Sequence, residues 1–61
     1  MKRNVLLKHL HKNSCVLLRE GGRHSIWQNT TNNKISAIPR HNEIKEFLCY
    51  KICKDLEINR P

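Results

Sequence analysis

The chain begins with a segment whose apolar side chains recur at helical spacing. Polar and basic residues separate the apolar positions, which are Val5, Leu6, Leu7 and Leu10. This pattern predicts a short amphipathic helix over about residues 2–12. Asn13 follows it, a residue type that tolerates the left-handed conformation in which many helices end.

Three short β-prone runs come next, over about residues 15–19, 24–28 and 34–38. Gly21-Gly22 lies between the first two runs and predicts a hairpin, because both glycines can adopt positive φ at little cost. A polar cluster at residues 29–33 predicts the second turn. Pro39 ends the third strand, since it has no backbone N–H to donate to the sheet.

The last segment has a second helical pattern, predicted over about residues 43–56. Asn42 is a suitable N-cap, and residues 57–61 are expected to fray. The apolar positions recur every fourth residue with one aromatic beside them, and they are Ile44, Leu48, Ile52, Leu56 and Phe47.

This order of elements predicts a single α+β domain over residues 1–61, a helix, a three-stranded antiparallel sheet and a helix. Both helices must cover the same sheet face to bury their apolar stripes. The architecture matches the double-stranded-RNA-binding type of fold. A chain of 61 residues is too short for a second domain or for enclosing an organic cofactor.

Charge narrows the class of partner. Twelve Lys and Arg stand against five Asp and Glu, which gives a formal net charge of +7. Such an excess indicates a polyanionic partner, either nucleic acid or an acidic protein, although solubility alone is a further explanation. No apolar run is long enough to span a membrane, and no segment is typical of a membrane-surface helix. With no secretory signal and an odd count of three cysteines, we expect reduced thiols and a cytoplasmic location.

His24 is the residue with the clearest candidate chemistry, because it follows directly after the glycine turn. Imidazole titrates near a pKa of ~6.5 and can therefore move protons at neutral pH. RNA carries its own nucleophile in the 2′-hydroxyl, so a ribonuclease needs only a proton acceptor, a proton donor and positive charge near the phosphate. A surface histidine without a function is the alternative interpretation.

Four basic residues are candidates for contacts with RNA phosphates: Arg19, Arg23, Arg40 and Lys45. They could equally form a solvated surface. Trp27 could stack on a base, but we favour a place in the core. Cys49 and Cys53 are spaced to share a metal ion, yet a structural zinc site needs two further ligands, so we predict no metal and interpret both as small apolar residues of the last helix.

The ordered set of motifs resembles the HicA toxins over nearly the whole chain. It comprises Met1-Lys2-Arg3 with Leu6, Leu7 and Leu10, then residues 15–20, Gly21-Gly22-Arg23-His24-Ser25-Ile26-Trp27, Ile38-Pro39-Arg40-His41, and Glu43-Ile44 with the closing helix. Many relatives have a small pair such as Gly-Thr where this chain has Phe47-Leu48, and many have Gly at the position of Glu57.

The resemblance implies a type II toxin that cleaves mRNA and stops translation, with a HicB-family antitoxin that masks it. It also implies that His24 is the catalytic histidine. His41 matches a recurring position and could be a second proton carrier or a cap of the last helix.

From the residue types we infer a metal-independent mechanism without cofactors. His24 would take the 2′-hydroxyl proton while Arg23 or Arg40 stabilises the phosphate charge, leaving a 2′,3′-cyclic phosphate and a 5′-hydroxyl. A water nucleophile, which would give different ends, is the alternative. The competing functions are a non-catalytic RNA-binding module of the same fold and an interaction protein for an acidic partner.

Overall fold

The computed structural model describes residues 1–61 and confirms the predicted α+β architecture. The elements are α1 (Arg3–Lys12), β1 (Cys15–Glu20), β2 (His24–Asn29), β3 (Ile35–Pro39) and α2 (Glu46–Leu56). The strands form one antiparallel sheet in the order β1-β2-β3. The bounds of α1 and of all three strands agree with the predicted bounds to within one residue. No helix is long and apolar enough to cross a membrane.

Both helices lie on one face of the sheet and build a single core there. Nine apolar side chains are buried in it, namely Leu6, Leu10, Cys15, Ile38, Ile44, Cys49, Ile52, Cys53 and Leu56. The prediction that Trp27 belongs to the core is confirmed, since its half-buried ring packs against this cluster. Its indole Nε1 is buried without a hydrogen-bond partner. The opposite sheet face is open to solvent.

The start of α2 differs from the prediction. The helix begins at Glu46, and Lys45 occupies the N-cap position without a side-chain hydrogen bond, so the expected cap at Asn42 is wrong. Residues 42–44 instead pair with the beginning of the chain: the Arg3 N–H donates to the Asn42 carbonyl at 2.8 Å, and the Ile44 N–H donates to the Met1 carbonyl at 2.8 Å. Because this backbone is extended and already paired, the helix cannot include it.

The predicted apolar stripe of α2 is confirmed at Ile44, Ile52 and Leu56, and the buried surface is wider than predicted on one side. Cys49 and Cys53 are buried beside Ile52, whereas Phe47, which the pattern placed near the buried stripe, has 69% of its surface exposed. The cysteines are therefore apolar core residues, which agrees with their interpretation as small apolar residues and adds their place in the core. Burial raises the pKa of each thiol above its ordinary value, so the cysteines are neutral in the folded protein.

A β-bulge interrupts the pairing of β1 with β2 between Leu17 and Arg19. Successive strand residues point to opposite faces, so the one extra residue, Leu18, reverses the direction of every side chain that follows. Glu20 consequently pairs with Ser25 on the helix-covered face.

Both helices are followed by residues with positive φ, and at α1 this residue is Ser14 instead of the expected Asn13. Ser14 has a φ of 68° while Asn13 has a φ of −102°, and Glu57 has a φ of 57° after α2. The prediction that the tail beyond Glu57 frays is wrong, because hydrogen bonds hold this segment in place. The Ile58 N–H donates to the Cys53 carbonyl at 2.9 Å, and His9 Nε2 lies 2.6 Å from the carbonyl oxygen of Asn59.

Candidate functional site

The turn between β1 and β2 positions the first candidate residue. The Gly21 N–H donates to the carbonyl of His24 at 2.7 Å, which closes a loop of three residues. A Cβ atom at Gly21 would lie 2.8 Å from that carbonyl oxygen, so only glycine fits this close approach. The predicted hairpin is confirmed, but neither glycine has a positive φ, so the turn does not use the conformational freedom on which that prediction rested. The hairpin is closed by this loop of three residues, which is longer than the two-residue type I′ or II′ turn common in hairpins.

His24 is the first residue of β2 and pairs with Pro39, the last residue of β3. Its side chain is exposed and makes no hydrogen bond within the chain, whereas the next residue, Ser25, is fully buried. Strand alternation therefore directs the imidazole away from the helices. The ring is accessible to a ligand that approaches the open sheet face or its edge.

Four of the predicted site residues lie together at this edge. A shallow pocket of about 450 Å³ is lined by Arg23, His24, Pro39, Arg40 and His41. It thus combines two imidazoles with two guanidinium groups, and no carboxylate is among the lining residues. An anion of the size of a phosphate would meet the neutral and positive side chains of this lining, with the nearby Glu20 carboxylate already paired with Arg40.

The four side chains differ in how firmly they are held. Arg40 forms an ion pair with Glu20 and also donates to the Gly21 carbonyl at 3.3 Å. Arg23 and His41 are exposed and have no partner within the chain. The alternative role of His41 as a cap of α2 is wrong, because the helix begins five residues later and its N-cap is Lys45.

A chain of hydrogen bonds underlies the pocket. The Arg3 guanidinium donates from Nη2 to the Ser25 hydroxyl at 2.9 Å and from Nε to the Pro39 carbonyl at 3.0 Å. The Ser25 hydroxyl in turn donates to the Glu20 carboxylate at 2.6 Å. Together with the Glu20–Arg40 ion pair, these bonds connect α1 to the ends of all three strands. We call Arg3, Ser25, Glu20 and Arg40 the polar relay.

Sequence reasoning did not predict the roles of Arg3, Ser25 and Glu20. One signal was present: Ser25 stands at an inward position of β2, alternating with Trp27, where an apolar residue is usual. A buried hydroxyl at such a position requires hydrogen-bond partners. Those partners come from α1 and from beyond the bulge in β1, and neither placement can be read from the spacing of residues.

Arg19 and Lys45, the other two predicted phosphate contacts, do not line the pocket. Arg19 pairs with Ile26 in the sheet and is exposed, and Lys45 is exposed at the N-terminus of α2. Neither makes a contact within the chain that would fix its side chain. As for metal ligands, no group of three or more His, Cys, Asp or Glu is positioned to hold an ion.

Comparison with known proteins gives one match. The family described as the HicA toxin of bacterial toxin-antitoxin matches residues 4–58, which is most of the chain. No curated protein sequence matches it. No solved structure matches it.

Proposed function

Because the chain belongs to the HicA toxin family, we propose that it is a metal-independent endoribonuclease that cleaves mRNA in the cytoplasm and uses His24 to move the proton. Membership in the family gives the chain a toxin role in a toxin–antitoxin system and implies a HicB-family antitoxin as its partner. The cleavage activity and the residues that perform it are the proposal.

One observation carries this proposal: two exposed imidazoles and two guanidinium groups line the same pocket. Cleavage of RNA by its own 2′-hydroxyl requires one group to accept a proton and another to donate one. His24 is unpartnered and so can accept the 2′-hydroxyl proton. His41, also unpartnered, can donate a proton to the departing 5′-oxygen.

In the proposed step the 2′-oxygen attacks phosphorus while the bond from phosphorus to the 5′-oxygen breaks. The products are a 2′,3′-cyclic phosphate and a 5′-hydroxyl, with the proton moving from the 2′-oxygen to His24 and another from His41 to the 5′-oxygen. Negative charge builds on the phosphate oxygens in the transition state. Arg23, whose guanidinium is free, is the group best placed to stabilise that charge.

Arg40 has a different task in this proposal. Its charge is already shared with Glu20, so it contributes less to the phosphate than Arg23 does. Its ion pair holds the segment after β3 against the hairpin, and that segment carries His41. We therefore expect Arg23→Gln to lower the rate of cleavage more than the affinity for RNA, and Arg40→Gln to disturb both.

The decisive experiment compares wild type with His24→Ala on a labelled single-stranded RNA in the presence of EDTA. His11→Ala is the matched control, because His11 is an exposed, unpartnered histidine on α1. We expect wild type and His11→Ala to cleave and His24→Ala to bind the RNA without cleaving it. End-group analysis should find a cyclic phosphate at the new 3′ end.

Two results would contradict the proposal. If no variant cleaves although all shift the RNA, the chain is a non-catalytic RNA-binding module. If RNA affinity is absent at any salt concentration, the charge serves an acidic protein partner, because phosphate contacts would make affinity strong at low salt.

A further inference from the structure

The outer surface of α2 carries an apolar groove that the proposed cleavage site does not use. Its lining includes Phe47, Tyr50, Lys51, Lys54, Ile58 and Arg60, which we call the α2 groove. The two aromatic rings are three residues apart and so lie on the same side of the helix. Phe47 is 69% exposed and Tyr50 37% exposed, which is unusual in a chain with only three aromatic residues.

Positive charge surrounds these rings. The lining holds three cations and no carboxylate. Lys51 is engaged by Asp55 at 3.0 Å, which leaves Lys54 and Arg60 without an acidic partner. The guanidinium carbon of Arg60 lies 4.2 Å from the centroid of the Tyr50 ring, a cation–π contact that presents a flat, positively charged surface.

The C-terminal tail keeps Arg60 at this place. The hydrogen bond from Ile58 to the Cys53 carbonyl turns the tail back along α2, and Ile58 packs against the core. His9 of α1 lies within hydrogen-bond distance of Asn59 on the other side. One wall of the α2 groove is therefore fixed by contacts to both helices.

Flat rings beside unpaired cations match the bases and the phosphates of a nucleic-acid strand. A base can stack on Phe47 or on the Tyr50–Arg60 pair, while the phosphates next to it meet Lys54. We propose that the α2 groove is a second RNA-binding site, which stacks unpaired bases of the strand that the His24 pocket holds. The contribution of the α2 groove to cleavage rests on the proposed function, whereas the binding of single-stranded RNA by this groove does not.

The distance between the two sites allows one strand to reach both. Phe47 follows His41 by six residues, so their Cα atoms are at most about 22 Å apart. The whole molecule extends only 27 Å along its longest axis. The His24 ring points away from the helices while the α2 groove lies on the outside of α2, so a strand that occupies both must pass around the edge of the molecule. A substrate of several nucleotides can cover this path, whereas a dinucleotide at the pocket cannot.

The test measures binding of an unstructured 12-nucleotide RNA by fluorescence anisotropy in the His24→Ala background, so that no cleavage is required. Phe47→Ala should weaken binding about 5- to 150-fold, in line with the loss of one stacked base. Phe47→Tyr should retain the affinity. Val5→Ala, which trims another exposed apolar side chain, on α1, is the control for nonspecific effects.

Inorganic polyphosphate, a polyanion without bases, separates stacking from charge. Phe47→Ala should leave the affinity for polyphosphate unchanged. Lys54→Gln should lower the affinity for both polyphosphate and RNA, and should reduce the slope of log affinity against log salt concentration by about one. With His24 intact, Phe47→Ala should lower kcat/KM for the 12-nucleotide RNA but not for a dinucleotide. Since the substituted residues Val5, His24, Phe47 and Lys54 are all exposed, circular dichroism should show every variant folded.

Three results would overturn the inference. The first is equal RNA affinity of Phe47→Ala and Val5→Ala. The second is an equal loss of polyphosphate and RNA binding in Phe47→Ala. The third is unchanged RNA affinity with weakened antitoxin binding, which would make the α2 groove a protein-docking surface. If no variant cleaves but RNA binding depends on Phe47, the cleavage proposal fails and this one stands.

Discussion

The guanidinium group of Arg3, at the start of α1, donates a 2.9 Å hydrogen bond to the hydroxyl of Ser25, the residue next to His24. These residues are 22 positions apart in sequence. The bond ties the first helix to the strand that carries the candidate histidine. It also satisfies a hydroxyl that is fully buried.

Removal of the Arg3 guanidinium should therefore destabilise the protein and disturb the pocket. Arg3→Met leaves the Pro39 carbonyl and one lone pair of the Ser25 hydroxyl without their donors. We expect the free energy of unfolding to fall by about 1–3 kcal/mol. Urea unfolding measures this, with Lys8→Met, an exposed and unpartnered position on the same helix, as the control. Equal stability of the two variants would mean that the polar relay does not hold the strands.

The two glycines of the hairpin should respond differently to alanine. Gly21→Ala places a methyl group 2.8 Å from the His24 carbonyl, while Gly22→Ala meets no atom within 4 Å. We expect Gly21→Ala to cost about 1–3 kcal/mol by distorting the turn, and to reduce RNA cleavage because the backbone of His24 must move. Gly22→Ala should be neutral or slightly stabilising, since it restricts the unfolded chain.

Thermal unfolding and cleavage assays of this glycine pair provide the comparison. A loss of stability in Gly22→Ala as large as that in Gly21→Ala would contradict the turn geometry. So would a Gly21→Ala variant with wild-type stability.

Glycine at position 57 should stabilise the protein. Glu57 adopts a left-handed φ of 57°, which costs an ordinary L-residue about 1 kcal/mol. The ion pair of Glu57 with Lys34, at 3.9 Å between exposed side chains, contributes little in return. Glu57→Gly should therefore raise the free energy of unfolding by about 1 kcal/mol. Glu57→Gln removes the same charge without relieving the backbone, and a stability gain as large in this control would refute the explanation.

Alkaline pH should destabilise the fold through its cysteines. Burial raises the pKa of Cys15, Cys49 and Cys53 above the ordinary value of 9.0, and at Cys53 the other two thiols add to the effect. The unfolded chain releases these protons first as the pH rises. Stability is therefore fully present below pH 9.0 and is lost above it, by up to about 1.4 kcal/mol per pH unit for each thiol.

Unfolding of wild type and Cys53→Ala between pH 7 and pH 10 measures this effect. The variant should be less stable at pH 7, because it leaves a small cavity, but its stability should fall less steeply above pH 9.0. Parallel pH profiles would show that Cys53 does not titrate differently in the folded and unfolded states.

The sequence predicted the elements of this fold well because each element is encoded locally. The spacing of Leu6 and Leu10, the Gly21-Gly22 turn and Pro39 mark where helix and strands begin and end. Local patterns failed where a distant segment competes for the backbone. Residues 43–45 are suited to a helix, but residues 42–44 pair with Met1 and Arg3, and this pairing delays α2 until Glu46.

The candidate site was predicted in part. His24 and Arg23 flank a turn, and Arg40 and His41 follow the strand that pairs with His24, so an antiparallel meander brings these four together. Arg19 and Lys45 were also expected near the phosphate, but they do not line the pocket. Basic composition indicates a polyanionic partner without showing which cations face it.

By itself, then, the sequence determined the order of elements, the pairing of strands and the position of His24 beside a glycine turn. The tertiary structure decided the polar relay and the α2 groove. The bulge at Leu18 turns Glu20 toward Ser25, and the surface of α2 that packs on the core includes Cys49 and Cys53 but leaves Phe47 exposed. Both outcomes depend on how distant segments pack, and a pattern of neighbouring residues carries no information about that packing.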